Sequence, residues 1–120
     1  MKSEFIIHKG KKIYLANYAN LPGEAFEQEI KDVTEEICRE PLQTVTCLND
    51  TTGLFATPKV INLFIWSVKR TKPHVKKAAV VGLGLSGTRK GLFDVVLKAT
   101  GQTAEVFDDL EKAKDWLADN

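Results

Sequence analysis

Cysteine is scarce in this chain, with only Cys38 and Cys47 among 120 residues. The pair lacks the C-x-x-C spacing of a redox or zinc site, and each sits among apolar neighbours, so both read as buried free thiols. Histidine is no more abundant: His8 and His74 complete no ligand set, and neither a metal nor a cofactor is expected. No Ser-His-Asp order and no paired carboxylates emerge, which argues against an enzyme. Long apolar runs are missing too. None approaches the roughly 20 residues that a membrane helix requires, and neither an arginine-rich leader nor a signal peptide is expected. A cytoplasmic protein without a membrane span is expected. Repeats and low-complexity segments are also absent.

What remains is an ordinary globular composition in a length that suits one domain over residues 1–120. Phe5-Ile6-Ile7-His8 and Ile13-Tyr14-Leu15-Ala16-Asn17-Tyr18, joined through Lys9-Gly10-Lys11-Lys12, predict an antiparallel hairpin. From Glu24 to Arg39, Phe26, Ile30, Val33 and Ile37 form one helical stripe, stopped by Pro41. A strand is expected over Leu42–Leu48. Thr57-Pro58 supplies an N-cap and a first-turn proline for a helix running to about Thr71. On that helix Val60, Ile61, Phe64, Ile65 and Val68 make the expected buried arc. Lys77–Val81, with its AAVV run, reads as a strand covered on both faces. A glycine loop and a helix ending at Gly101 follow, then a strand over Thr103–Phe107. Asp108-Asp109-Leu110-Glu111 opens the last helix as a capping box with Asp108 at the N-cap.

The order is β-β-α-β-α-β-α-β-α. It implies an α/β fold with a single, mostly parallel five-stranded sheet and helical crossovers. Ligand sites in such sheets lie beyond the carboxyl ends of the strands. Asp50, the glycine loop and Asp108 are expected there, and the lysine-rich run 69–77 at the opposite edge. Charge is segregated: residues 51–100 hold nine cations against Asp94 alone, a balance of +8, and the flanks carry −7. Such a dipolar surface would steer an anionic partner, unless folding sets acidic and basic helices side by side.

Three stretches are candidates for function. Gly82-Leu83-Gly84-Leu85-Ser86-Gly87 is a G-x-G-x-x-G between strand and helix, with Asp108 at the next strand end, as in dinucleotide sites. It follows the fourth strand instead of the first, however, and only one strand comes after it. Amides of the helix start, with Ser86, Thr88, Arg89 and Lys90, suit a small anionic ligand (a nucleotide or other phosphorylated metabolite), unless both cations bend into water. The second stretch is Asp50-Thr51-Thr52-Gly53, either a ligand loop or a self-bonded turn, with Thr51 and Thr52 as candidate phosphoacceptors. The third is Trp66, which the helical wheel places among Lys59, Asn62, Lys69 and Arg70. It is a candidate interface for a protein partner or a second copy, or else a ring lying against its neighbours' stems. A nucleic-acid partner is not expected.

Asn49-Asp50-Thr51-Thr52-Gly53 with Thr57-Pro58-Lys59-Val60, the run Lys72 to Gly82, and the ending Val106 to Leu117 carry a family likeness. Over nearly its whole length the chain resembles the STAS-like group. These are small α/β proteins related in fold to anti-sigma-factor antagonists and to cytoplasmic domains of sulfate transporters; the bacterial STAS/SEC14-like proteins are the narrower match. The resemblance implies a non-enzymatic regulatory or interaction module. Antagonists of this fold are switched by phosphorylation at a D-S-S-G segment, to which Asp50-Thr51-Thr52-Gly53 is similar. The SEC14 side implies a lipid or other hydrophobic ligand.

Overall fold

The computed structural model describes residues 1–84 and 87–119. Lys9 and Gly10, at φ 50° and 78°, reverse the chain between β1 (Glu4–His8) and β2 (Lys11–Asn17), which pair antiparallel. Every later strand joins its predecessor in parallel across a helix: β3 (Val45–Asp50) after α1 (Gly23–Cys38), β4 (Val75–Val81) after α2 (Pro58–Thr71), and β5 (Glu105–Phe107) after α3 (Gly87–Thr100). The result is a five-stranded mixed sheet in the order β1-β2-β3-β4-β5, closed by α4 (Leu110–Ala118).

Crossovers of the usual right hand that advance one way across a sheet lie on the same face. Accordingly α1 and α2 build one core with Tyr14, Ala16, Tyr18 and Ala78. α3 packs beside α2 and buries Val96. Among the described residues α4 alone covers the other face, placing Ala113 and Leu117 on Ile13, Leu48, Ala79 and Val81. The AAVV run is therefore buried from both sides. Because the strand order never reverses, the crevice that receives dinucleotides in doubly wound sheets is not generated.

Several elements depart from expectation. Leu42–Thr44 is a turn rather than the start of β3. Gln43 has φ 59°, its amide donates to the Pro73 carbonyl at 3.0 Å, and Leu42 is exposed. β5 begins only at Glu105, where pairing with Ala79 starts. On α2 the most deeply buried residues are Val60, Ser67 and Thr71; of the expected arc Val60 is buried and Ile61, Phe64, Ile65 and Val68 are half-buried. Ser67 is tolerated there because its hydroxyl meets that of Thr34 on α1 at 2.6 Å. Cys47 is buried, but Cys38 is only half-buried. The cap of α4 is Asp109, whose carboxylate accepts from the amides of Glu111 at 2.7 Å and Lys112 at 3.3 Å. Asp108 stays exposed beside Lys112, 3.7 Å away.

Among the described residues no helix is long and apolar enough to cross a membrane, and no group of three or more His, Cys, Asp or Glu could hold a metal ion.

Replacing Asp109 by Ala removes a cap and is expected to cost about 1 kcal/mol in urea unfolding, whereas Asp108→Ala stays within about 0.5 kcal/mol. Equal effects would return the cap to Asp108. Burial pushes the Cys47 thiol up to about 12. It stays protonated between pH 8 and 9, where an unfolded thiol ionises. Iodoacetamide in that range is expected to modify Cys38 in the native protein and Cys47 only after denaturation, as read by peptide mass.

Candidate functional site

The carboxyl ends of β3, β4 and β5 form one rim. Beyond β3 the chain turns sharply on its own polar groups: Asp50 Oδ1 accepts from the Thr52 amide at 3.1 Å and the Thr52 hydroxyl at 2.7 Å. Thr51 points the other way. It is only 4% exposed, and both its amide and its hydroxyl donate to the Val81 carbonyl, at 2.9 and 2.8 Å. The loop is tied on its far side too, since Asn20 donates to the Thr52 carbonyl at 2.7 Å.

Arg89 completes the fastening. One guanidinium nitrogen donates to the carbonyls of Thr51 at 2.8 Å and Leu54 at 2.9 Å. A cation in the first turn of a helix costs about 0.3–1 kcal/mol against the dipole, while a hydrogen bond from a charged donor contributes about 1.5–3 kcal/mol. The bonds win, so this nitrogen of Arg89 is not left to water, and the side chain also lines the cleft at the rim. Lys90 is exposed and makes no ion pair among the described residues.

The glycines divide in the same way. Gly82 has φ +91°, and a Cβ there would drive into the backbone and hydroxyl of Thr52. Its lack of a side chain serves the packing of one loop on another. Gly53, at φ +72°, likewise has no room because the Asn20 side chain is in the way. Gly84 has φ +73° with open space around it, and Gly87 opens α3 with none of its surroundings crowded. Thr88 is exposed beside it. Ser86 lies outside the described residues.

Together these elements bound an open cleft of about 750 Å³, lined by Asp50, Thr52, Gly82, Gly84, Lys90 and Asp108 among others. Asp50, the glycine loop and Asp108 thus share one rim. Of the two proposed phosphoacceptors, Thr51 is corrected: its hydroxyl is buried and committed to β4. Thr52 is exposed.

Trp66 is 37% exposed, and the Arg70 guanidinium sits over its ring, 5.5 Å from the centroid. Lys59 pairs with Glu27 of α1 at 2.7 Å, so part of the segregated charge is neutralised at the α1–α2 seam. Asn62 and Lys69 face solvent. A larger apolar exposure was missed by periodicity: Phe55 is 82% exposed. It lies in a loop, where no helical or strand phase assigns a side chain to either face. Its neighbours Leu54 and Ala56 line a small apolar hollow of about 30 Å³ with Ile61, Leu92 and Phe93, between α2 and α3.

No protein-family model, curated protein or solved structure matches this chain.

Both Gly82→Ala and Gly84→Ala force a side chain into left-handed backbone, at about 1–2 kcal/mol, but only the first also meets Thr52. In urea unfolding Gly82→Ala is expected to lose at least 1 kcal/mol more than Gly84→Ala, about the penalty of an overpacked contact. Indistinguishable midpoints would show that the two loops do not press together.

Proposed function

We propose that this chain is a non-enzymatic regulatory or protein-interaction module of STAS-like type, engaging its partner through the rim at the carboxyl ends of the strands. The observation that carries this reading is an 82%-exposed phenylalanine, Phe55, next to a loop that Arg89 holds at two carbonyls. Burying such a ring gains roughly 1.5–3 kcal/mol, and a loop already fixed gives up little entropy on binding. Lys90, exposed at the rim, would accept an acidic group beside the apolar anchor of such a partner. Thr52 is the hydroxyl through which phosphorylation would act, adding about −1.5 to −2 charge beside Asp50 and the start of α3. Trp66 is the secondary contact.

Selection of a randomised peptide library against the full chain, followed by ¹H–¹⁵N spectra, tests this. Peptides rich in aromatic or aliphatic residues with Asp or Glu are expected to enrich and to shift amides of residues 51–56 and 88–93. Phe55→Ser is expected to weaken them about tenfold, with an unchanged melting midpoint. If no peptide enriches, or if affinity ignores Phe55→Ser, the reading fails.

A second reading is a small-ligand site (nucleotide, phosphorylated metabolite or lipid headgroup) in the 750 Å³ cleft. It is favoured because Lys90 and Gly84 line that cleft and the helix cap does not consume Asp108. Thermal shifts against nucleotides and phosphometabolites address it with Lys90→Glu, which spares the Arg89 bonds. A stabilisation lost in that variant supports the cleft, and a flat panel removes it.

A further inference from the structure

α3 is poorly sheltered for a helix of an α/β sheet. Of its 14 residues only Val96 is fully buried; Leu92, Phe93 and Leu97 are half-buried, and Val95 is 50% exposed. Its seam with α2 is incompletely filled. One hollow of about 30 Å³ lies in the first half of the seam and one of about 50 Å³ in the second, and Phe64, Phe93 and Val96 line both. Ile61 and Leu92 line the first hollow together, which marks the flanks on which the two helices face each other. Residues three and four positions apart share a helix flank. Ile65 and Val68 therefore continue one wall of an apolar groove, and Val95 and Ala99 the other; all four are half-buried or exposed.

Uncommitted cations flank this groove at its far end. Lys69 lies one turn beyond Ile65, and Lys98 one turn beyond Val95. The Lys72 ammonium reaches across to Gly101, just past α3, where an added Cβ would stand 2.9 Å from it. All three lysines are exposed, and among the described residues none of their ammonium groups makes an ion pair or hydrogen bond. Asp94, one turn before Lys98, does not pair with it. The rim end differs: Lys59 is held by Glu27, Arg89 by two carbonyls, and Lys90 turns to the rim cleft.

We propose that the α2–α3 groove receives an amphipathic helix of a partner protein, apolar along one face and carrying Asp or Glu in its first turns. This deepens the reading of the chain as an interaction module, on which it rests, by adding a second contact surface and naming its occupant. A helix fits where an extended strand does not: the backbone groups of both walls are paired along their lengths, so the groove offers no edge to extend. Apolar residues three and four apart on the partner would lie between the two rows as a ridge in a groove. The 14 residues of α2 span about 21 Å, so about four turns fill it. The acidic turns belong beside Lys69, Lys72 and Lys98. There the partner's amino end also meets the carboxyl ends of α2 and α3, an arrangement that the helix dipoles favour. The partner therefore runs antiparallel to both.

The probe is a synthetic amphipathic peptide of about four turns, with leucines on one face and glutamates in its first two turns. One control carries lysines in place of the glutamates. A ¹H–¹⁵N titration of the full chain is expected to give saturable shifts at residues 61–69 and 92–99 with the acidic peptide and none with the control. Lys69→Glu combined with Lys98→Glu is expected to weaken binding about tenfold and Val95→Ser about threefold, with the unfolding midpoint unmoved. Phe55→Ser is expected to leave this probe unaffected. Loss of binding with Phe55→Ser but not with the lysine reversals would place the peptide at the rim, overturning the groove and sparing the rim. Binding that follows Lys69, Lys98 and Val95 while no peptide responds to Phe55→Ser would support the groove and remove the rim. Equal binding of the lysine control, or a dimer of the free chain that Val95→Asp dissociates, would also overturn the proposal, the latter by putting a second copy in the groove.

Discussion

Arg89 reaches from the first turn of α3 to two carbonyls of the loop after β3, and the geometry of the rim depends on that reach. The helix dipole opposes a cation at this place, yet two carbonyl partners more than repay it. With the guanidinium in position, Thr51 is turned inward onto Val81, and Thr52 lies so close to Gly82 that no side chain fits between them. The ends of β3 and β4 and the start of α3 are thereby one mechanical unit. Phe55, just beyond it, is exposed from a fixed base instead of a slack tether.

Much of the scaffold could be read from residue order. Phe26, Ile30, Val33 and Ile37 announced the buried stripe of α1, and each is buried. Thr57-Pro58 marked the start of α2, where the threonine hydroxyl accepts from the Val60 amide at 3.2 Å. The rule that α/β sheets gather their loops at the strand carboxyl ends brought Asp50, Gly82 and Asp108 to one rim. Errors arose where the deciding contact came from far along the chain. Nothing near Ser67 shows that a hydroxyl 33 residues away will satisfy it, so its burial on α2 alongside Val60 is not legible locally. Neighbouring aspartates offered two registers for one capping box, and the wrong one matched the spacing. Gly82 and Arg89 line the cleft at the rim, but their internal partners, Thr52, Thr51 and Leu54, lie 30 to 38 residues upstream, where no local pattern shows them.

The segregated charge also acquires a different meaning in three dimensions. Lys59 is taken up by Glu27, so the acidic α1 and the basic α2 meet as neighbours. Of the eight cations that remain in residues 51–100, Arg89 and Lys90 stand at the start of α3 and Lys76 and Lys77 at the bulge in β4, while Lys69, Arg70, Lys72 and Lys98 belong to neither group. A single slip in strand pairing, between Val45 and Thr46, creates the second of these. Hydropathy patterning does not register such a slip, because charged residues flank the strand in either alignment.

Strands laid side by side in the order of synthesis have a consequence for how the molecule is assembled. Each β–α unit docks on the edge left by the one before it, so every pairing joins strands that follow one another in the chain, and assembly can proceed from the first hairpin onward. The exception is α4, which touches all five strands. Until the nine residues of α4 arrive, Ile13, Leu48, Ala79 and Val81 form an unsealed greasy face. On the ribosome that face would be the growing chain's principal hazard for premature association, and the short final helix its remedy.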